Sequence, residues 1–123
     1  MDKTWGKSRK LFLENSYSRI QQIHFSEIES KEVLLFMKRE DELHPFISGN
    51  KFRKLKYNLQ EAQIQNKTTL LTFGGAYSNH IAATAAAGYE YNFNTIGVIR
   101  GDELAIDVEE VIKKNPTLKF ASE

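Results

Sequence analysis

The stretch TTLLTFGGAYSNHIAATAAAGYEYNFNTIGVIR, residues 68–100, constrains the fold more than any other part of the chain. Two short apolar runs of buried-strand length flank an alanine-rich segment that closes on Gly88. Alanine is the strongest helix former and glycine favours the position just past a helix, so the middle segment reads as a helix ended by Gly88. Strand, helix and strand in that order predict a βαβ unit, a parallel sheet and the α/β fold class. Upstream, KEVLLFMKRED supplies a third candidate buried strand, Val33–Lys38, and ELHPFISGN follows as an irregular connection marked by Pro45 and Gly49. Asn50 is the expected N-cap of a helix over about residues 51–65, in which Phe52, Leu55, Leu59 and Ala62 form one apolar stripe.

Downstream, GDELAIDVEEVIKK reads as a loop passing into a polar helix. NPTLKFASE opens another helix, with Asn115 as N-cap and Pro116 at its first position. Residues 1–31 are polar and weakly patterned, a loop-like approach to the α/β region of residues 32–123. Three parallel strands would leave a sheet face and its edges uncovered. The chain is therefore expected to be the front part of a longer protein, and not a competent enzyme by itself; the plain alternative for its short last helix is a frayed terminus.

Composition narrows the classes. The chain is 41% hydrophobic and 27% charged, as soluble globular proteins are. Its 17 Lys and Arg against 16 Asp and Glu give no support to a nucleic-acid partner. No apolar run approaches membrane-spanning length, and the basic start lacks the apolar core of a secretory signal. The absence of cysteine excludes disulfides, thiolate metal sites and cysteine nucleophiles, and fits a cytoplasmic protein. His24, His44 and His80 lie too far apart for metal-ligand spacing, so no metal site is expected.

Two corners carry the chemistry. In ISGNKFRKLKYNL, the cations Lys51, Arg53, Lys54 and Lys56 crowd the start of a helix, where the dipole and free N–H groups are already positive. A bound phosphate would turn that arrangement favourable. Lys51 lies beside the apolar stripe, in surroundings that disfavour an ammonium, and Schiff-base chemistry needs a neutral amine. The plain alternative is a solvated basic face, the commoner fate of surface lysines. In TFGGAYSNH, Gly74 and Gly75 allow a sharp turn and close approach at the carboxyl end of a strand, where ligands of open α/β sheets sit. Ser78 and Asn79 then open a helix; simple capping explains them equally well. The segment is neither G-x-G-x-x-G, nor a P-loop, nor a G-x-S-x-G elbow. Ser78 and His80 diverge on a helix, which argues against a hydrolytic dyad and leaves His80 as a packing or hydrogen-bonding residue. The tyrosines are too scattered for a nucleic-acid stacking platform.

SGNKFRKLKYNL followed by TFGGAYSNHIAATAAAG resembles the N-terminal part of the 1-aminocyclopropane-1-carboxylate deaminase/D-cysteine desulfhydrase family. FMKREDELHPFISGNK resembles the same family's approach to its lysine. The resemblance implies a tryptophan-synthase-β-like fold, pyridoxal 5′-phosphate as cofactor, a small amino acid as substrate and a homodimer for the complete protein. Lys51 matches the Schiff-base lysine, Asn79 the residue that contacts the cofactor's ring oxygen, and Ser78 the serine that meets the substrate. Lys54 is placed to help with the phosphate charge. Tyr77 stands where family members often carry Gln, which leaves the substrate open. The alternatives are a non-catalytic phosphate- or nucleotide-binding α/β module and a basic-helix nucleic-acid binder.

Overall fold

The computed structural model describes residues 17–123. Ile20–Ile23 (β1) and Leu35–Lys38 (β2) pair antiparallel, Ile20 opposite Lys38, with one helical turn, Ser26–Glu29 (α1), between them. A 3-10 turn at Glu40–Glu42 and an irregular segment lead to Asn50–Ile64 (α2). Thr69–Gly75 (β3), Asn79–Tyr91 (α3) and Asn94–Arg100 (β4) form the expected βαβ unit, parallel from Thr69 opposite Asn94 to Gly75 opposite Arg100. A second 3-10 turn, Asp102–Ala105, is followed by Val108–Lys114 (α4) and Pro116–Ser122 (α5).

The core is the α2 stripe against α3. Phe52, Leu55 and Leu59 are buried as expected, together with Ile47, Ala83, Ala87 and Phe93, and Ala62 packs against them half-buried. Burying each of the large side chains contributes roughly 1.5–3 kcal/mol. Ala83 and Ala87 present almost no side chain, so the two helices approach closely. Asn115 caps α5 as its sequence predicts, its Oδ1 accepting from the N–H groups of Thr117 and Leu118 at 2.9 and 3.0 Å.

Several expectations are corrected. The strand expected at Val33–Lys38 is not part of the parallel sheet, which has two strands among the described residues. Its apolar run pairs with local β1 in a separate ribbon, and Val33 through Met37 all remain exposed. An unbroken apolar run fixes neither its partner nor its burial. The segment 1–31 contains β1 and α1 rather than loop alone, and residues 1–16 lie outside the described residues. Gly49, not Asn50, occupies the cap position of α2, at φ +60°, with its N–H donating to the Glu40 carbonyl at 2.8 Å. That left-handed backbone suits glycine.

Gly88 does not end α3 either. The helix runs on to Tyr91 and closes on Asn92 in the left-handed region, which Asn tolerates next best to glycine. Gly88 instead lets α3 lie against β4: a Cβ there would collide with the Thr95 Cγ2 and stand 3.0 Å from the Phe93 carbonyl.

Arg53 grips Glu40 with two bonds of 2.8 and 2.9 Å, Ser18 donates to the same carboxylate at 2.6 Å, and Lys38 lies 3.3 Å away. This network ties α2 to the β1–β2 ribbon. The hydrogen bonds from Arg53 and then Ser18 hold the Glu40 carboxyl at about 2.

Two predictions follow from this packing. Gly88→Ala should lower stability by about 1–3 kcal/mol through overpacking, although alanine is the better helix former. Gly97→Ala, whose added Cβ meets nothing nearer than 3.7 Å, should stay within about 0.5 kcal/mol in the same thermal melts. For Glu40, a folded-state pKa below the unfolded value means that its contribution is fully present above the unfolded carboxyl range, near about pH 4.3. It is then lost as pH falls towards about 2. Urea titrations across that window should show a loss of stability that is shallower in Glu40→Gln. An identical acid limb in the two proteins would refute the assignment.

Candidate cofactor and substrate site

The first corner is the start of α2. Lys51 is half-buried, and its Nζ donates to Asn50 Oδ1 at 2.8 Å, so Asn50 partners the lysine instead of capping the helix. The four cations of this turn have different fates. Arg53 is engaged by Glu40, and Lys56 lies 5.7 Å from the centroid of the Tyr57 ring. Lys54 is exposed, and no described residue partners its ammonium.

The second corner is built by the end of β3. The Ser78 N–H donates to the Gly75 carbonyl at 3.0 Å, closing the turn that reverses the chain into α3. Gly74 is needed here, because a Cβ would stand 2.7 Å from Ile81 Cγ1 and 3.0 Å from Ser78 Oγ. At Gly75 a Cβ would meet nothing within 4 Å, so the chain's own atoms leave that side open. Ser78 is the N-cap of α3, its Oγ accepting from the His80 N–H at 3.2 Å. Asn79 opens the helix exposed, with no described hydrogen-bond partner for its carboxamide, and Tyr77 beside it is also exposed.

His80 joins the corners. Its Nε2 lies 2.8 Å from Thr72 Oγ1 on β3. Burial lowers the imidazole's pKa, and the charges of Lys51 and then Lys54 lower it further. The lysines at the start of α2 therefore act on a residue in the first turn of α3. The structure thus brings Lys51 and Lys54 towards the corner that carries Ser78 and Asn79. The expectation that His80 is a hydrogen-bonding residue holds, but its nearness to Lys51 was not legible from spacing. Thr72 was also missed. Its signal was available, since Leu70, Thr72 and Gly74 share one face of β3 by the two-residue period and Leu70 packs on the core.

A cavity of about 420 Å³ is lined by Thr72 of β3 and by residues of β4, α3, α4 and α5 such as Ile81, Thr84, Ile99, Val111 and Leu118. Lys51, Lys54, Ser78 and Asn79 take no part in it. Among the described residues there is no group of three or more metal-capable side chains, and no helix is long and apolar enough to cross a membrane.

Known proteins resemble this chain in sequence. Over 73 residues, 59% of this chain, the sequence is 41% identical to an Arabidopsis thaliana protein named bifunctional D-cysteine desulfhydrase/1-aminocyclopropane-1-carboxylate deaminase, mitochondrial. Over 76 residues, 62% of this chain, it is 33% identical to a Serratia proteamaculans protein named D-cysteine desulfhydrase. The matched residues cover 18% and 22% of those proteins, so the chain spans about a fifth of the relatives' own length. No protein-family model matches the chain, and no solved structure matches it significantly. By sequence, this α/β chain is related to the 1-aminocyclopropane-1-carboxylate deaminase/D-cysteine desulfhydrase family of enzymes.

Proposed function

We propose that the chain supplies the amine-bearing part of a pyridoxal-phosphate-dependent deaminase or lyase with a tryptophan-synthase-β-like fold. Its substrate is a small amino acid of the D-cysteine or 1-aminocyclopropane-1-carboxylate type, and its products are ammonia and a 2-oxo acid. On the same reading the complete protein is a cytoplasmic homodimer. The observation that carries the reading is the convergence at His80, where Lys51 and Lys54 act on the first turn of α3.

The residues present fit this cofactor. It needs an amine, positive charge for a phosphate, and room beside both. Lys51 offers the amine, and the exposed Lys54 with the positive end of the α2 dipole offers the charge. Gly49 and Gly75, one at each corner, leave space in which even a Cβ would touch nothing within 4 Å. When bound, pyridoxal phosphate supplies the electron sink for cleavage next to the substrate's amine.

The chain's own side chains divide the remaining work. Lys51 would hold the cofactor, Lys54 would balance phosphate charge, and the exposed carboxamide of Asn79 would be available to hydrogen-bond the cofactor's ring oxygen. The Ser78 hydroxyl receives the His80 N–H through one lone pair. It keeps its proton and second lone pair for moving a substrate proton. Burial and the neighbouring cations favour neutral His80, which orients this turn through Thr72.

A non-catalytic phosphate- or nucleotide-binding module is the second reading. One observation favours it: Ser78 already has a structural task as the cap of α3. Borohydride reduction in the presence of pyridoxal phosphate, followed by peptide mapping, separates the two. The enzyme reading expects the pyridoxyl label on Lys51. A label spread evenly over Lys54 and Lys56, or none, contradicts it.

The roles of the second corner are separable too. Asn79→Ala should weaken cofactor binding about tenfold, the size of one lost hydrogen bond to a polar group. Ser78→Ala should mainly lower turnover in a full-length relative carrying this corner, and should also cost about 1 kcal/mol of stability through the lost cap. Ser78→Asn keeps a capping oxygen without the hydroxyl, so it should recover the stability and not the turnover. The opposite ordering in cofactor titrations and steady-state rates would exchange the two roles.

A further inference from the structure

Between the 3-10 turn at Glu40–Glu42 and α2 the chain has no regular structure, yet this segment delivers Lys51. Its neck is closed by the Gly49 N–H on the Glu40 carbonyl, at 2.8 Å. Ile47 is completely buried in the core, and Phe46 stacks on Phe120 of α5 with ring centroids 5.5 Å apart. At the centre stands His44, whose side chain is only 14% exposed. Its Nδ1 accepts from the backbone N–H groups of Phe46 at 3.2 Å and Ile47 at 3.0 Å. A ring nitrogen that accepts two hydrogen bonds carries no proton, so the proton sits on Nε2, 2.9 Å from Glu90 Oε2. Glu90 lies in the last turn of α3, the helix whose first turn carries Asn79 and His80.

We propose that His44, held as the Nε2–H tautomer, is a positioning residue that sets where Lys51 stands relative to Ser78 and Asn79. One imidazole fastens the approach to the amine and the helix bearing the second corner to each other. The Ile47 N–H is buried with its residue and has no water to replace the imidazole, so removing the ring leaves a costly unpaired donor. A segment freed in this way regains backbone conformations, and small misplacements of a reacting group slow its reaction severely. The proposal rests on the reading of Lys51 as the cofactor's amine.

The test compares the wild-type chain with His44→Ala, His44→Asn and Glu90→Ala, well below each protein's melting midpoint. Three quantities are measured: the rate of borohydride-trapped pyridoxyl incorporation at Lys51, hydrogen exchange at the Ile47 amide, and the ring nitrogen shifts of His44. The wild-type ring should report the Nε2–H form. His44→Ala should label Lys51 about tenfold more slowly and exchange the Ile47 amide faster, with labelling at exposed Lys113 unchanged. His44→Asn, which keeps an acceptor near the Nδ1 position, should recover most of the rate. A purely structural role would leave the labelling rate of the folded variants untouched. If His44→Ala does not fold, Glu90→Ala keeps the loop's own bonds and should still slow labelling severalfold. Wild-type labelling rates in the folded variants, or an Nδ1–H ring, overturn the positioning role alone. A wild-type chain that does not label at Lys51 overturns the cofactor reading, and this proposal with it.

Discussion

Close approach to α3 is the constraint on which the rest of the fold depends. α3 packs against α2 through Ala83 and Ala87, against β4 through Gly88, and against the end of β3 through Gly74. Each contact exists because a side chain is missing or minimal. The same small surface brings the start of α2 near the start of α3, since the Phe52–Leu55–Leu59 stripe settles directly onto the alanines. The candidate site is therefore a consequence of core packing. Two helix starts converge because the helices behind them can touch.

The cations crowded at the start of α2 meet different surroundings. Arg53 belongs to the scaffold, where the Glu40 carboxylate, which also accepts from Ser18, balances its charge and fastens the helix to the β1–β2 ribbon. Lys51 and Lys54 are the pair whose field reaches the second corner. A cluster that looks uniform in sequence is thus divided by structure into a guanidinium pinned by Glu40, a Lys51 amine bonded to neighbouring Asn50, and an exposed Lys54. The division follows the chemistry of the groups, since a planar guanidinium makes a two-point bond to a carboxylate and an ammonium cannot.

Much of this was legible beforehand. The βαβ order, the apolar stripe of α2 and the Asn115–Pro116 start of α5 follow from local propensity and period, which act over a few residues. The misreadings share one cause: each turned on a contact with a residue outside the element being read. Val33–Lys38 looks like a buried central strand, and only its pairing with Ile20–Ile23 makes it an exposed ribbon. Gly88 looks like a helix stop until Thr95 is seen against it. Asn50 is a good cap by type, but the Glu40 carbonyl claims the Gly49 N–H and shifts the cap by one residue. The nearness of Lys51 to His80 is likewise a fact of tertiary packing that spacing does not encode. One face of the β3–β4 sheet, with Leu71 and Phe73 beside Ile96 and Val98, is exposed among the described residues, although both strands carry apolar residues on both faces.

The central claim is that the two corners form one site. It is tested most directly by following the His80 ring through a proton titration by NMR, in the wild-type chain and in Lys51→Met, Lys54→Met and Lys56→Met. The account predicts a wild-type midpoint below the ordinary histidine value of about 6.5. It predicts an upward shift on removal of Lys51, a smaller one for Lys54 and none for Lys56. A His80 midpoint indifferent to Lys51 would place the corners apart and contradict the account.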